Sequence, residues 1–222
     1  MTSPLLVFDL DGTMVDTAGD LIAALNATMA EEGLPPIPTA HVGHLVGAGA
    51  RALIERGLAH HGIDPASRDI DGLLASFIAH YGRVMPAGSR PFPQLTETMD
   101  RFAAAGWSFA VCTNKTEALS RQLLDSLGLS ERLQAICGGD TFPVRKPDAA
   151  HLLGTIARAG GDPARAVMVG DSRADIDAAR NARIPVVAVT FGYTDTPVAD
   201  LGPDAIIDRF DDLWDAVAGL AR

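Results

Sequence analysis

The chain is short of lysine. Its 222 residues hold two, Lys115 and Lys146, beside sixteen arginines. It has no basic cluster, and its net charge is −10. A general nucleic-acid binder or a protein drawn to an acidic membrane carries a basic face, so neither is expected. Cysteine is also scarce. Cys112 and Cys137 both lie in apolar, strand-like runs and read as reduced core residues, which excludes a disulfide framework or a thiolate metal site. No apolar run reaches the length of a membrane span. No basic stretch precedes an apolar one at the N-terminus, so no signal core is expected and the cytoplasm is the default location. Internal repeats and low-complexity tracts are lacking too. What is present is a chain 47% hydrophobic, enough for a substantial core in one large domain or a core with a smaller insertion.

Strand-like apolar runs occur at 4–9, 107–112, 133–137, 166–170, 185–190 and about 204–208. Amphipathic helical patterns at 94–105, 116–127, 148–160 and 173–183 separate most of them. This alternation predicts an α/β fold, a parallel sheet with helices on both faces. Ligands in such folds bind beyond the carboxyl ends of the strands. Residues 17–88 break the alternation with helical patterns at 18–32, 39–46, 49–60 and 66–84. Four helices in succession after the first strand predict an inserted helical domain over 17–88. The core is then 1–16 and 89–222, with connections near Val15–Ala18 and Pro86–Pro93. A helical insert above the active end is placed to act as a lid.

The strand Leu5-Leu6-Val7-Phe8 ends in Asp9-Leu10-Asp11-Gly12-Thr13. Strand side chains alternate faces, so two carboxylates two positions apart point the same way while the chain stays extended. Two like charges so close favour a cation between them, and hard oxygen ligands suit Mg²⁺. The pair also offers a carboxylate nucleophile beside a carboxyl group able to act as acid and base. A turn after a strand would use the same residue types.

Three more strand ends carry polar groups. Phe109–Cys112 runs into Thr113, Asn114 and Lys115 before a helix start, where free N–H groups and a hydroxyl suit a phosphate. A polar helix cap is the alternative there. Arg145-Lys146-Pro147-Asp148 holds Lys146 extended before a proline, where its charge can serve a phosphoryl group; a solvated surface lysine before a helix is the alternative, against which the scarcity of lysine argues. Val167–Gly170 runs into Asp171-Ser172-Arg173-Ala174-Asp175. Asp171 is the natural further metal ligand, and Asp175, one helical turn on, is placed to orient Lys146 or a metal-bound water. Helix capping by Asp171 and a solvent-exposed Asp175 are the plainer alternative.

Taken together, Asp-x-Asp-Gly-Thr, Thr-Asn, Lys-Pro and Gly-Asp-Ser-x-x-Asp, in this order at successive strand ends, resemble the haloacid dehalogenase superfamily. The likeness is to its phosphatases with a helical cap inserted after the first motif, and it spans essentially the whole chain. The resemblance implies a Rossmann-like core and a phosphoaspartyl intermediate. Asp9 would attack phosphorus, and Asp11 would protonate the leaving oxygen and then activate water. Thr113 and Lys146 would hold the phosphoryl oxygens. Mg²⁺ would sit on Asp9, the backbone carbonyl of Asp11, and Asp171.

Within that superfamily, Asp11 argues against a dehalogenase, whose halide leaving group needs no protonation. Residues 16–90 contain no lysine, which removes a Schiff-base phosphonate cleaver. Ala18–Ile22 lacks the histidine of the hexose-phosphate mutases. Three finer features resemble the bacterial phosphoglycolate phosphatases: Gly138–Asp148, the cap segment Val46–Arg51, and Phe191-Gly192-Tyr193 with Leu201–Asp208. Ala149 departs from them, since many relatives have a second proline there. The expected substrate is therefore 2-phosphoglycolate. Another small phosphate ester or pyrophosphate is the alternative, and a non-catalytic regulatory protein on the same fold is a third reading. Gly47 and Gly49 would let a cap loop approach the substrate, and Arg51 or Arg145 would meet its carboxylate; a turn between cap helices with Arg51 solvated is the alternative. Asn114 is expected beside the phosphate. His41, His44, His60, His61, His80 and His151 show no ligand spacing tied to the motifs and read as surface or cap residues. The expected partner is a small phosphorylated metabolite, and the expected state a monomer or homodimer.

Overall fold

The computed structural model describes residues 2–38, 45–46 and 49–220. Six parallel strands form one sheet: β1 (Leu5–Phe8), β4 (Ser108–Cys112), β5 (Ala135–Cys137), β6 (Ala166–Gly170), β7 (Val186–Val189) and β8 (Ala205–Ile207). Their spatial order is β5-β4-β1-β6-β7-β8. All four residues of β1 are buried, as expected of a central parallel strand covered on both faces. Leu6 and Phe8 face one core layer with helices α4 (Leu95–Ala104), α5 (Glu117–Ser126) and α8 (Leu213–Leu220). Leu5 and Val7 face the other layer with α6 (Ala149–Arg158) and α7 (Arg173–Ala182). The period-two alternation thus distributes one apolar run over both layers.

Strand order and register position the site. The sequence returns to opposite sides of β1, through β4 and then β6, so the crevice opens at the carboxyl end of β1. Phe8 pairs with Val111 on one side and Val169 on the other, so β1, β4 and β6 end at the same level. The side chains that follow emerge at that level: Asp9, Thr113 and Asp171. Cys112 and Cys137 lie opposite each other on β4 and β5, both buried and unbridged.

Between the first strand and the rest of the sheet lie α1 (Ala18–Glu31), α2 (Ala50–His60) and α3 (Ile70–Val84), which pack on one another as a helical cap. Their inner faces join the layer containing Phe8, through Leu25, Leu53 and Phe77. The helix expected over 39–46 falls mostly outside the described residues, as do Gly47, His41 and His44. The helix expected from 66 begins instead at Ile70, because the Asp69 side chain accepts from Gly72 N–H at 3.1 Å and caps it there. One short element was not expected. Val15–Asp16 (β2) pairs antiparallel with Arg90–Pro91 (β3), so the two chain segments entering and leaving the cap are tied side by side. Asp20 strengthens this tie by accepting from Gly88 N–H at 2.7 Å and from Ser89 N–H at 3.0 Å. No described helix is long and apolar enough to cross a membrane.

Candidate active site

A cavity of about 190 Å³ opens between the sheet ends and the cap. Asp9, Asp11, Thr113, Asn114, Arg145 and Lys146 line it from the core, and Gly49 and Arg51 from the cap. Asp171 and Asp175 lie beneath, 1% and 0% exposed.

Lys146 is the electrostatic centre. Its Nζ lies 2.8 Å from Asp9 Oδ1 and donates to Asp175 Oδ1 at 2.6 Å. Burial opposes charge on this lysine, but Asp175 and Asp9 overcome it and raise its pKa above the ordinary value. Burial pushes the Asp9 carboxyl up to about 6, against the pull of Lys146, while Asp175 and Asp11 add repulsion. Asp171 is raised as well, by burial first and then by Asp175 and Asp9. Its two oxygens accept from Thr13 Oγ1 and from Tyr193 N–H, each at 2.7 Å.

Asp175 is neither exposed nor a simple helix-start acid. While Oδ1 takes Lys146, Oδ2 accepts from Asp171 N–H at 3.2 Å, Ser172 N–H at 3.0 Å and Ser172 Oγ at 2.6 Å. It completes a capping box with Ser172 at the start of α7. One side chain therefore fixes both the lysine and the loop carrying Asp171.

The donor set suits a divalent cation. Asp9, Asp171 and Asp175 each offer an oxygen within 4.8 Å of the others. Three carboxylates against the single ammonium of Lys146 leave two buried negative charges, which are costly without a counter-ion. Asp9 Oδ1 is buried and lacks a hydrogen-bond partner, its contact with Lys146 being an ion pair of poor alignment. Asp175 takes four donors over its two oxygens, whereas each Asp171 oxygen takes one, so Asp9 and Asp171 are the side chains with lone pairs left to ligate. Glycines hold the surroundings close. Gly12 has φ +86°, and a Cβ there would stand 2.5 Å from Asp171 Oδ2. A Cβ at Gly192 would overlap Asp171 Cβ.

The Asp11 side chain points elsewhere. Lys115 Nζ donates to its two oxygens at 2.8 and 2.9 Å and to Tyr81 Oη at 2.9 Å. Lys115 sits on the core and Tyr81 on cap helix α3, so this cluster crosses the cavity. Burial opposes the Lys115 charge, yet Asp11 and Tyr81 raise its pKa above the ordinary lysine value. Burial pushes the Tyr81 hydroxyl up to about 12. Lys115 was not among the expected site residues. The signal for it was the scarcity of lysine.

Other expected residues have different surroundings. Asn114 Nδ2 donates to the Lys146 carbonyl at 3.1 Å, tying the second motif to the third, while its Oδ1 is buried without a partner. Thr113 Oγ1 accepts from Lys115 N–H at 3.3 Å, which leaves its proton for the cavity. At the start of α5, Asp140 Oδ1 accepts from Glu117 N–H at 2.7 Å, so that amide is not free for a phosphate. Arg51 is ion-paired with Asp71 on the cap, its side chain 44% exposed. Arg145 is exposed at the cavity mouth.

His151 corrects the sequence reading. It is fully buried under the site, not on the surface or the cap. Its Nδ1 accepts from Lys146 N–H at 3.2 Å, so Nε2 carries the proton and donates to Gly138 O at 3.0 Å. Burial, and then the charge on Lys146, lower its pKa, which keeps the ring neutral.

The comparisons with known proteins agree with this architecture. The family described as "Haloacid dehalogenase-like hydrolase" matches residues 6–189. A protein of Agrobacterium fabrum named phosphoglycolate phosphatase is 54% identical over 208 residues, covering 94% of this chain and 89% of its own. One of the same name from Mesorhizobium japonicum is 49% identical over 216 residues, covering 96% and 94%. A crystal structure from Haemophilus somnus, described as a predicted phosphoglycolate phosphatase, superposes with a TM-score of 0.88 at 30% identity, covering 98% and 99%. The chain belongs to the haloacid dehalogenase-like hydrolase family.

Proposed function

We propose that this chain is a Mg²⁺-dependent phosphatase that cleaves 2-phosphoglycolate into glycolate and inorganic phosphate. The observation behind the reading is the meeting of Asp9, Asp11, Thr113 and Lys146 in one small cavity beneath a helical cap. The names of the relatives from Agrobacterium fabrum and Mesorhizobium japonicum point to the same substrate.

In this reading an Asp9 oxygen attacks phosphorus while the bond to the leaving oxygen breaks. Asp11, having taken up a proton from water, gives it to that oxygen, and glycolate departs. Water then attacks the phosphoaspartate at phosphorus and passes a proton to Asp11. The bond to Asp9 breaks, and phosphate is released. Thr113 and Lys146 hold the phosphoryl oxygens, and Asn114 supports them through the Lys146 carbonyl. Asp175 and His151 hold Lys146 in place. Asp9, Asp171 and the backbone carbonyl of Asp11 would hold Mg²⁺, which supplies charge neutralisation at the phosphoryl group. Residues 17–88 form the cap that excludes water, with Gly49 and Arg51 on its inner rim.

The apolar part of the cavity wall, which includes Leu21, Leu53 and Phe77, favours a second reading in which another small phosphate ester is the substrate. Phosphate release from 2-phosphoglycolate, pyrophosphate, glucose 1-phosphate and a mononucleotide, with Mg²⁺ and with chelator, separates the two. A kcat/KM preference for 2-phosphoglycolate that chelator abolishes is expected. Activity centred on another ester would move the assignment to the second reading.

A further inference from the structure

A substrate such as 2-phosphoglycolate carries a second anion next to its phosphate, and that anion needs a partner. Among the described residues, four cations line the cavity: Arg51, Lys115, Arg145 and Lys146. Lys146 is committed to Asp9 and Asp175. Arg51 is paired with Asp71 near the cap surface, and Arg145 is exposed. Lys115 alone is both buried, with 6% of its side chain exposed, and clear of the Asp9 cluster. The cavity wall there is apolar, with Leu74 and Phe77 on the cap and Leu119 on α5. A carboxylate brought there without a cation would lose its hydration uncompensated.

Lys115 has a resident anion. Two of its three ammonium protons go to the Asp11 oxygens and the third to Tyr81 Oη. Its Nζ also lies 4.3 Å from the centre of the Tyr81 ring, which stacks on Phe77. Tyr81 thus holds the ammonium from the cap side, where it can keep a lysine in place while the lysine changes partner.

We propose that Lys115 recognises the carboxylate of the substrate by exchanging Asp11 for it, so that a carboxylate-bearing leaving group frees the Asp11 side chain to turn toward the reacting oxygen. The proposal rests on the phosphoglycolate reading. It adds which residue selects the substrate and makes that selection a condition for placing the acid–base group. Esters without the second anion leave Asp11 clamped. Arg51 and Arg145, the cations expected from sequence for this task, are not needed for it.

Binding tests this apart from turnover. 3-Phosphonopropionate is 2-phosphoglycolate with its ester oxygen replaced by methylene, and propylphosphonate has the same length without the carboxylate. Both are titrated calorimetrically, with Mg²⁺ present, into the wild type and the Lys115→Met, Asp11→Asn and Arg51→Ala variants. The wild type is expected to bind the carboxylate form at least tenfold more tightly. That preference should fall to near unity in Lys115→Met and persist in Arg51→Ala. In Asp11→Asn it should increase, because the competing resident anion is gone. A wild type with no preference, a Lys115→Met variant that keeps it, or an Asp11→Asn variant that loses it would each overturn the proposal. Should Lys115→Met fail to fold, Lys115→Gln takes its place, and the wild-type and Asp11→Asn arms stand by themselves. A wild type that prefers the carboxylate ligand but releases no phosphate from 2-phosphoglycolate would refute the substrate assignment and leave Lys115 as a carboxylate site.

Discussion

Replacing His151 by leucine keeps the volume of the site roughly filled and removes two hydrogen bonds. Lys146 N–H and Gly138 C=O, which the imidazole now joins at 3.2 and 3.0 Å, would be left buried and unpaired. An unsatisfied buried polar group costs about 1–3 kcal/mol, so the pair costs about 2–6 kcal/mol, read as a shift in the urea midpoint at constant slope. The loss should depend on pH in a definite direction. The folded pKa of His151 is lowered below its unfolded value of about 6.5. Below about pH 6.5 the unfolded chain binds a proton that the folded chain refuses, so the wild type loses stability as pH falls. That slope is at most about 1.4 kcal/mol per pH unit, until the folded pKa is reached. Leucine has no such proton, so the gap between wild type and variant should narrow from pH 7.5 to pH 5.5. A cost below about 1 kcal/mol, or a gap that widens on acidification, would refute the neutral, doubly bonded imidazole.

Two further substitutions probe the frame around Asp171. Gly12→Ala places a Cβ at positive φ and 2.5 Å from Asp171 Oδ2, so the variant should lose more than about 1 kcal/mol in urea unfolding and bind Mg²⁺ more weakly by calorimetry. Unchanged Mg²⁺ affinity would separate Gly12 from the proposed metal site. Tyr193→Phe removes the hydroxyl that accepts from Thr17 N–H at 2.9 Å and Ala18 N–H at 3.0 Å and donates to Asp16. Stability should fall by about 1–3 kcal/mol, and hydrogen exchange at residues 17–18 should quicken. Exchange unchanged there would show that the hydroxyl does not restrain the cap connection.

Much of the fold was legible because the chain obeys simple periods. Apolar runs such as Val167–Gly170, alternating with helices whose buried residues recur every three or four positions, specify a parallel sheet covered on both faces. In such a sheet every strand exit lies at one end, which brings Asp9, Thr113 and Asp171 to the same edge. Two-residue strands carry no period, which is why β2 and β3 were invisible. The setting of Lys115 depends on Asp11 and Tyr81, 104 and 34 residues away, and no local pattern encodes such pairs. His151 left a fainter trace. It lies on the apolar stripe of α6 with Leu152, Thr155 and Ile156, and a polar residue on a buried stripe calls for a partner inside. Arg51 lines the cavity, and its ion pair with Asp71, 20 residues away on the neighbouring cap helix, is another pair that no local pattern encodes.

The most direct test concerns the bond that Asp9 is proposed to form. Wild-type protein is mixed with 2-phosphoglycolate and Mg²⁺, quenched in acid within milliseconds, digested and analysed by mass spectrometry. The predicted result is a phosphoryl group on the peptide containing Asp9, formed and lost within one turnover and missing from Asp9→Asn, which should be folded and inactive. Phosphate release by Asp9→Asn at the wild-type rate, or a transient phosphoryl group on any other residue, would contradict the account.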